Sequence, residues 1–177
     1  MEFLLLLSGF QIFTVMIVGC IFLRQRVAIV SLRKGLYFEI SAYETNIFGL
    51  TYKSIVLDAM SIWNTVGRIQ WIGVSSESNA DTIVSCVYNP DATFTGVYIS
   101  HFSGNNVYSG ALQLNTYYQY NFSYAKTLKT CIHELGHGIG LGHINYAGIN
   151  NVMYRYAGEY TGTLGQGDLA AYRYLWG

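Results

Sequence analysis

The residues best equipped for chemistry lie in one stretch, His133 to His143, which reads HELGHGIGLGH. The spacing is H-E-x-x-H-x-x-G-x-x-H. His133 and His137 are four apart, so on a helix both rings leave one face a turn apart and can share a metal ion. Glu134 stands beside the first ring, where its carboxylate can serve a water at an open coordination position without occupying that position. Gly140 lets the backbone leave helical geometry through a positive-φ turn that a Cβ would penalise. The chain can then swing back and present His143 as a third ligand. Three protein ligands with a fourth position open are what a catalytic zinc uses, whereas a structural zinc is closed by four. A packed or solvated side chain is the ordinary fate of a lone histidine, but three of the 4 histidines fall in this stretch at matching spacing.

That constellation points to zinc-dependent hydrolysis of peptide bonds. Zinc held by three neutral imidazoles is a strong Lewis acid and lowers the pKa of a coordinated water to roughly 7 in favourable sites. Glu134 would take a proton from the attacking water and return it to the leaving amine. The alternative is a peptide-binding module that keeps the fold without catalysis or acts on one narrow partner. Glu134 argues against a module without catalysis, because only catalysis needs a carboxylate there. A zinc-storage role is disfavoured by the open, three-ligand geometry.

A second signal lies downstream, in Asn150-Asn151-Val152-Met153-Tyr154. A methionine soon after the third histidine resembles the Met-turn of the metzincins, a tight turn beneath the zinc site. With the motif, it makes the chain resemble the matrixins, the matrix-metalloprotease-like family. The C-terminal stretch Thr163-Leu-Gly-Gln-Gly-Asp168-Leu-Ala-Ala-Tyr-Arg-Tyr-Leu-Trp-Gly177 resembles the closing helix of matrixin catalytic domains. There, an early aspartate ties down the Met-turn, and Asp168 matches it. The aspartate usual just before it is Gly167 here, so the carboxylate that holds a freed N-terminal ammonium in the family is missing. Arg155 stands where an astacin-type tyrosine ligand would be.

The resemblance implies an α+β, zincin-like fold: a twisted mixed sheet with an active-site helix, a Met-turn and a C-terminal helix. It implies one catalytic zinc on His133, His137 and His143, with Glu134 catalytic, Met153 in the turn and Asp168 supporting it. It also implies that Leu112, Gln113 and Leu114 lie on an edge strand pairing with an extended substrate. Tyr154 and Tyr156 would line the pocket for the side chain after the scissile bond. Vertebrate-type matrixins carry a further structural zinc on several histidines. His101 is the one histidine left here, with Asn neighbours, so no structural zinc is expected. Asp81, Asp91 and nearby Asn residues are the oxygen donors a calcium ion would use.

These residues need elements to position them. Residues 36–41 alternate and are β-rich, predicting a first strand. Tyr52 to Val66 carries Ile55, Val56, Ala59, Met60 and Trp63 at helical spacing, predicting an amphipathic helix ended by Gly67. Residues 69–74 and 82–87 predict two more strands, 95–100 another, and 110–116 the strand before the active helix. Gly104, Asn105 and Asn106 read as a loop. The active helix is expected from about Ser123 to Ile139.

At 177 residues, with 10 basic and 10 acidic side chains, one domain is expected and no polyanionic partner, so nucleic-acid binding is excluded as a reading. A polypeptide substrate and a monomeric state are expected. Phe3 to Leu23 is an apolar run of about bilayer-spanning length, so residues 1–23 are read as a membrane anchor or signal segment, 24–34 as a juxtamembrane linker and 35–177 as the catalytic domain. Arg24, Arg26, Arg33 and Lys34 follow the run, which by the positive-inside rule places the catalytic side in the cytoplasm. The resemblance implies an extracytoplasmic, membrane-anchored or secreted enzyme, and both orientations stay open. Ile17-Val18-Gly19-Cys20 also resembles a lipoprotein box, although Ile21 to Leu23 continue the run. Cys86 and Cys131 could pair or remain thiols.

Overall fold

The computed structural model describes residues 14–17, 20–23, 33–103, 106–145, 150–156 and 159–177. The domain is built on a five-stranded mixed sheet in the order β4-β3-β5-β7-β6. Its strands are β3 (Arg33–Phe38), β4 (Gln70–Gly73), β5 (Thr82–Val87), β6 (Gly96–Ser103) and β7 (Asn106–Asn115). β3 pairs in parallel with β4 and β5, and β5 in parallel with β7. β6 alone runs antiparallel, folding back on β7. Helices α1 (Tyr52–Asn64), α3 (Tyr124–Gly138) and α4 (Gln166–Trp176), with the short α2 (Thr116–Gln119), complete the α+β architecture.

Helix α1 forms where apolar periodicity and a cap coincide. The Thr51 side chain accepts from Ser54 N–H, an N-cap bond. Ile55, Val56, Ala59, Met60 and Trp63 are all buried. That stripe packs against α3, and Trp63 reaches across to donate its indole N–H to the Ile132 carbonyl at 2.8 Å. Trp176 of α4 does the same to the Ile139 carbonyl at 3.0 Å, and Tyr172 stacks on Trp63 with ring centroids 6.1 Å apart. Large aromatic bodies therefore fill the core while their polar tips tie α1 to the middle of α3 and α4 to its C-terminal end.

Several expectations need correction. Residues 110–116 do not form an edge strand. Most of them belong to β7, which lies between β5 and β6, and Leu112 and Leu114 are fully buried. The edge on that side is β6, which pairs antiparallel with β7, the strand that starts at Asn106. Residues 104 and 105 lie outside the described residues. The strand expected at residues 36–41 is β3, which begins at Arg33, so Arg33 and Lys34 belong to the sheet rather than to a linker, and residues 24–32 lie outside the described residues. Of the apolar run, Thr14–Ile17 (β1) and Cys20–Leu23 (β2) pair as antiparallel strands, in keeping with their β-branched and aromatic content. The rest of the run lies outside the described residues. Among the described residues, no helix is long and apolar enough to cross a membrane.

Candidate active site

Helix α3 carries the first half of the site. Ser123 caps it, its hydroxyl accepting from Lys126 N–H. The helix ends in a Schellman motif: Leu141 N–H bonds the Gly136 carbonyl and Gly140 N–H the His137 carbonyl, both at 2.9 Å. Gly140 sits at φ +89°, the left-handed conformation its spacing predicted. That turn brings His143 back over the helix face holding His133 and His137.

The three imidazoles converge. Their Nε2 atoms form a triangle with sides of 3.1, 3.2 and 3.3 Å. A tetrahedral set of nitrogens about 2.0–2.1 Å from zinc has edges of about 3.3 Å, so the triangle fits zinc. The opposite ring nitrogens are occupied. His133 Nδ1 donates to the Val152 carbonyl at 2.7 Å and His137 Nδ1 to the Leu141 carbonyl at 2.8 Å. Since a carbonyl only accepts, each bond fixes the proton on Nδ1 and leaves the Nε2 lone pair facing the triangle. Burial keeps these rings neutral: it lowers the His133 pKa to about 3, helped by His137, and lowers that of His137. The more exposed His143 is lowered too, by burial first and Arg155 second. Neutral imidazoles are the form that ligates metal. Among the described residues, this triad is the cluster of three ligand groups able to hold a metal ion.

Glu134 is buried beside the triad, at 6% exposure. Burial raises its carboxyl to about 7, opposed by a hydrogen bond from the Tyr98 backbone on β6. That value describes the metal-free chain; a cation held by the triad would favour the carboxylate form that accepts a proton.

The turn at Met153 locks the site from below. Met153 is fully buried, and its sulfur packs so closely on Gly136 that a Cβ there would lie 2.4 Å from it. Asp168 holds the turn with both oxygens, accepting from Val152 N–H at 2.8 Å and Met153 N–H at 3.0 Å, and also from Gly165 N–H at 2.9 Å. Burial raises the Asp168 carboxyl, while these amides and Lys129 pull it down. The turn's carbonyls face the other way: Val152 O accepts the His133 Nδ1–H bond, and Met153 O accepts Ile144 N–H at 2.8 Å, next to His143. One turn thus fixes two of the three ligands.

A cleft of about 350 Å³ opens beside the triad. His133, Glu134, His143, Tyr154 and Tyr156 line it, with the two tyrosine rings 5.3 Å apart. Leu112 and Leu114 are buried in β7 and Gln113 is half-buried there, so none of the three joins the cleft. His101 instead shares a hydrogen bond with Ser109 across the β6–β7 hairpin at 3.0 Å. Asp81 accepts Gly35 N–H, and Asp91 sits in an exposed turn closed by the Asn89 side chain. Asp81 and Asp91 belong to no group of three acidic, histidine or cysteine side chains able to hold a metal ion among the described residues. Cys86 and Cys131 are free thiols.

Sequence reasoning missed the second layer. Val152 and Leu141 act through backbone carbonyls, which no side chain advertises. Buried Asn151 accepts Gly167 N–H at 3.1 Å, bonding the residue that replaces the missing aspartate. Its adjacency to Val152 was the available clue.

Fold and site together define a metzincin-type α+β scaffold. Residues 32–177 match the matrixin family of peptidases, and the chain belongs to that family, one of zinc metallopeptidases. No curated protein matches the chain.

Proposed function

We propose that the protein is a zinc-dependent endopeptidase acting on extended polypeptides. His133, His137 and His143 hold the metal, and Glu134 is the general base. The observation that carries this reading is the Nε2 triangle of 3.1–3.3 Å with the buried Glu134 carboxyl beside it. When bound, zinc supplies Lewis acidity at the scissile carbonyl and acidifies the attacking water.

The chain's own residues do the rest. Glu134 accepts a proton from water as oxygen attacks the carbonyl carbon, and the same proton goes to the leaving nitrogen as the C–N bond breaks. Its place beside the triad lets one carboxylate serve as base and then as acid. Strand β6, at the edge of the sheet and beside α3, offers backbone groups to an extended substrate strand. Tyr154 and Tyr156 line the pocket for the side chain after the scissile bond.

The test compares the full chain, its Glu134→Gln variant and a chelator-treated sample on an unfolded protein substrate. The unmodified chain should cleave. The variant should keep one zinc per chain and lose about 10²–10⁴ in rate, the usual contribution of general acid–base catalysis. Unchanged turnover by the variant would remove Glu134 from its role. A zinc-loaded chain that cleaves nothing would overturn the endopeptidase reading.

A further inference from the structure

The cleft beside the triad is lopsided in charge. Two cations, Lys129 and Arg155, line it against one carboxylate, Glu134. Lys129 lies one turn before His133 on α3, so it projects from the ligand-bearing face. Its Nζ donates to the Tyr156 carbonyl at 2.8 Å, which pins the ammonium across the cleft. An ammonium has three N–H donors, so others remain for a ligand. Arg155 also lines the cleft, exposed, with its guanidinium 5.9 Å from the Tyr156 ring.

Among the described residues, Glu134 is the one carboxylate that lines the cleft. Glu134 takes the Tyr98 backbone hydrogen bond at the triad end. Asp168 lies in the core behind Lys129, fully buried, and its oxygens are filled by the amides of Val152, Met153 and Gly165. Partial burial of Lys129 disfavours its charge, Asp168 offsets this only in part, and an incoming anion would offset the rest. The remaining walls are the rings of Phe94, Tyr154 and Tyr156 with threonine hydroxyls, which suit the methylene stem of a short acidic side chain.

We propose that this cleft selects a carboxylate side chain, glutamate or aspartate, on the substrate residue after the scissile bond, paired with Lys129 and Arg155. This rests on the endopeptidase reading and adds its specificity. The two cations would discriminate glutamate from the isosteric glutamine by charge-assisted hydrogen bonding.

The test digests a mixed peptide library with the zinc-loaded full chain and reads the cut sites by mass spectrometry. Glutamate and aspartate should follow the cut about tenfold more often than glutamine and asparagine, within the range of a charge-assisted bond. Lys129→Met should erase most of that preference while cuts before neutral residues persist. Lys129→Arg should restore it, and Lys129→Glu should turn it toward lysine and arginine. An apolar preference in the unmodified chain, or a preference unmoved by Lys129→Glu, would overturn the proposal. A separate arm uses zinc-loaded Glu134→Gln and calorimetry with peptide pools carrying glutamate or glutamine at one central position. Tighter binding of the glutamate pool, lost on adding Lys129→Met, supports the cleft's selectivity, and equal binding overturns it. Absence of any cleavage would instead count against the endopeptidase reading, and the binding arm would still decide the cleft.

Discussion

Asp168 is the single side chain on which most of the site's geometry converges. It bonds none of the three imidazoles, yet its two oxygens accept three backbone N–H groups, two of them in the Met-turn. Asp168→Ala leaves three buried donors without a partner, each costing about 1–3 kcal/mol. A loss of at least about 3 kcal/mol is expected, read as a lower urea midpoint. Asp168→Asn keeps the shape and one acceptor oxygen, so its loss should be smaller. Zinc affinity should fall by about 10–100-fold in the alanine variant, because the freed Val152 carbonyl no longer orients His133. An unchanged midpoint for Asp168→Ala would show that the turn is held by packing instead. Glu134→Gln is the complementary residue: it changes chemistry at the cleft and leaves this scaffold alone.

At the scale of elements, the end of α3 separates two uses of glycine. A Cβ on Gly138 would lie 2.7 Å from the Tyr98 ring and 2.9 Å from Trp71, so Gly138→Ala forces α3 away from β6. Overpacking of this kind costs about 1–3 kcal/mol. A Cβ on Gly140 meets nothing closer than 3.6 Å, but the residue sits at φ +89°. Gly140→Ala therefore strains the turn by about 1–2 kcal/mol and displaces His143. Thermal unfolding should rank Gly138→Ala at or below Gly140→Ala, whereas zinc affinity should fall more for Gly140→Ala. The opposite order in zinc affinity would mean that the turn does not place the third ligand. What was legible in sequence follows the same division. The motif positions, the α1 stripe and Ser123 and Ile139 as bounds of the active helix depend on local spacing, and each was readable. The edge strand was misplaced because strand order depends on which strand folds back on which. The amides and carbonyls around Asp168, Val152 and Leu141 were invisible because every residue carries the same backbone groups.

At the scale of the whole molecule, the site is assembled by the core rather than by the metal. Trp63, Trp176 and Met153 pack or bond against α3 independently of any ion. Chelation should therefore leave the far-ultraviolet dichroism of the chain nearly intact while lowering its melting temperature by mass action. Collapse of the spectrum would show that the metal builds the fold. The metal-free protein should also carry a pH signature. All three ligand histidines titrate below their ordinary value of 6.5, so in acid the unfolded chain binds the additional protons. The stability they contribute is complete above pH 6.5 and is lost as the pH falls from there toward about 3, where His133 titrates. Glu134 works in the opposite sense. Its carboxyl is raised from 4.5 to about 7, so the folded state holds a proton that the unfolded state has released, and its contribution weakens the fold as the pH rises between those values. Asp168, also raised, acts in the same sense as Glu134. Between pH 6.5 and 4.5, three histidines oppose these carboxyls, so the net expectation is a falling denaturation midpoint on acidification. Glu134→Gln should steepen that fall by removing the largest opposing group. A midpoint that rises on acidification of the metal-free chain would mean that the carboxyls, rather than the imidazoles, govern its stability.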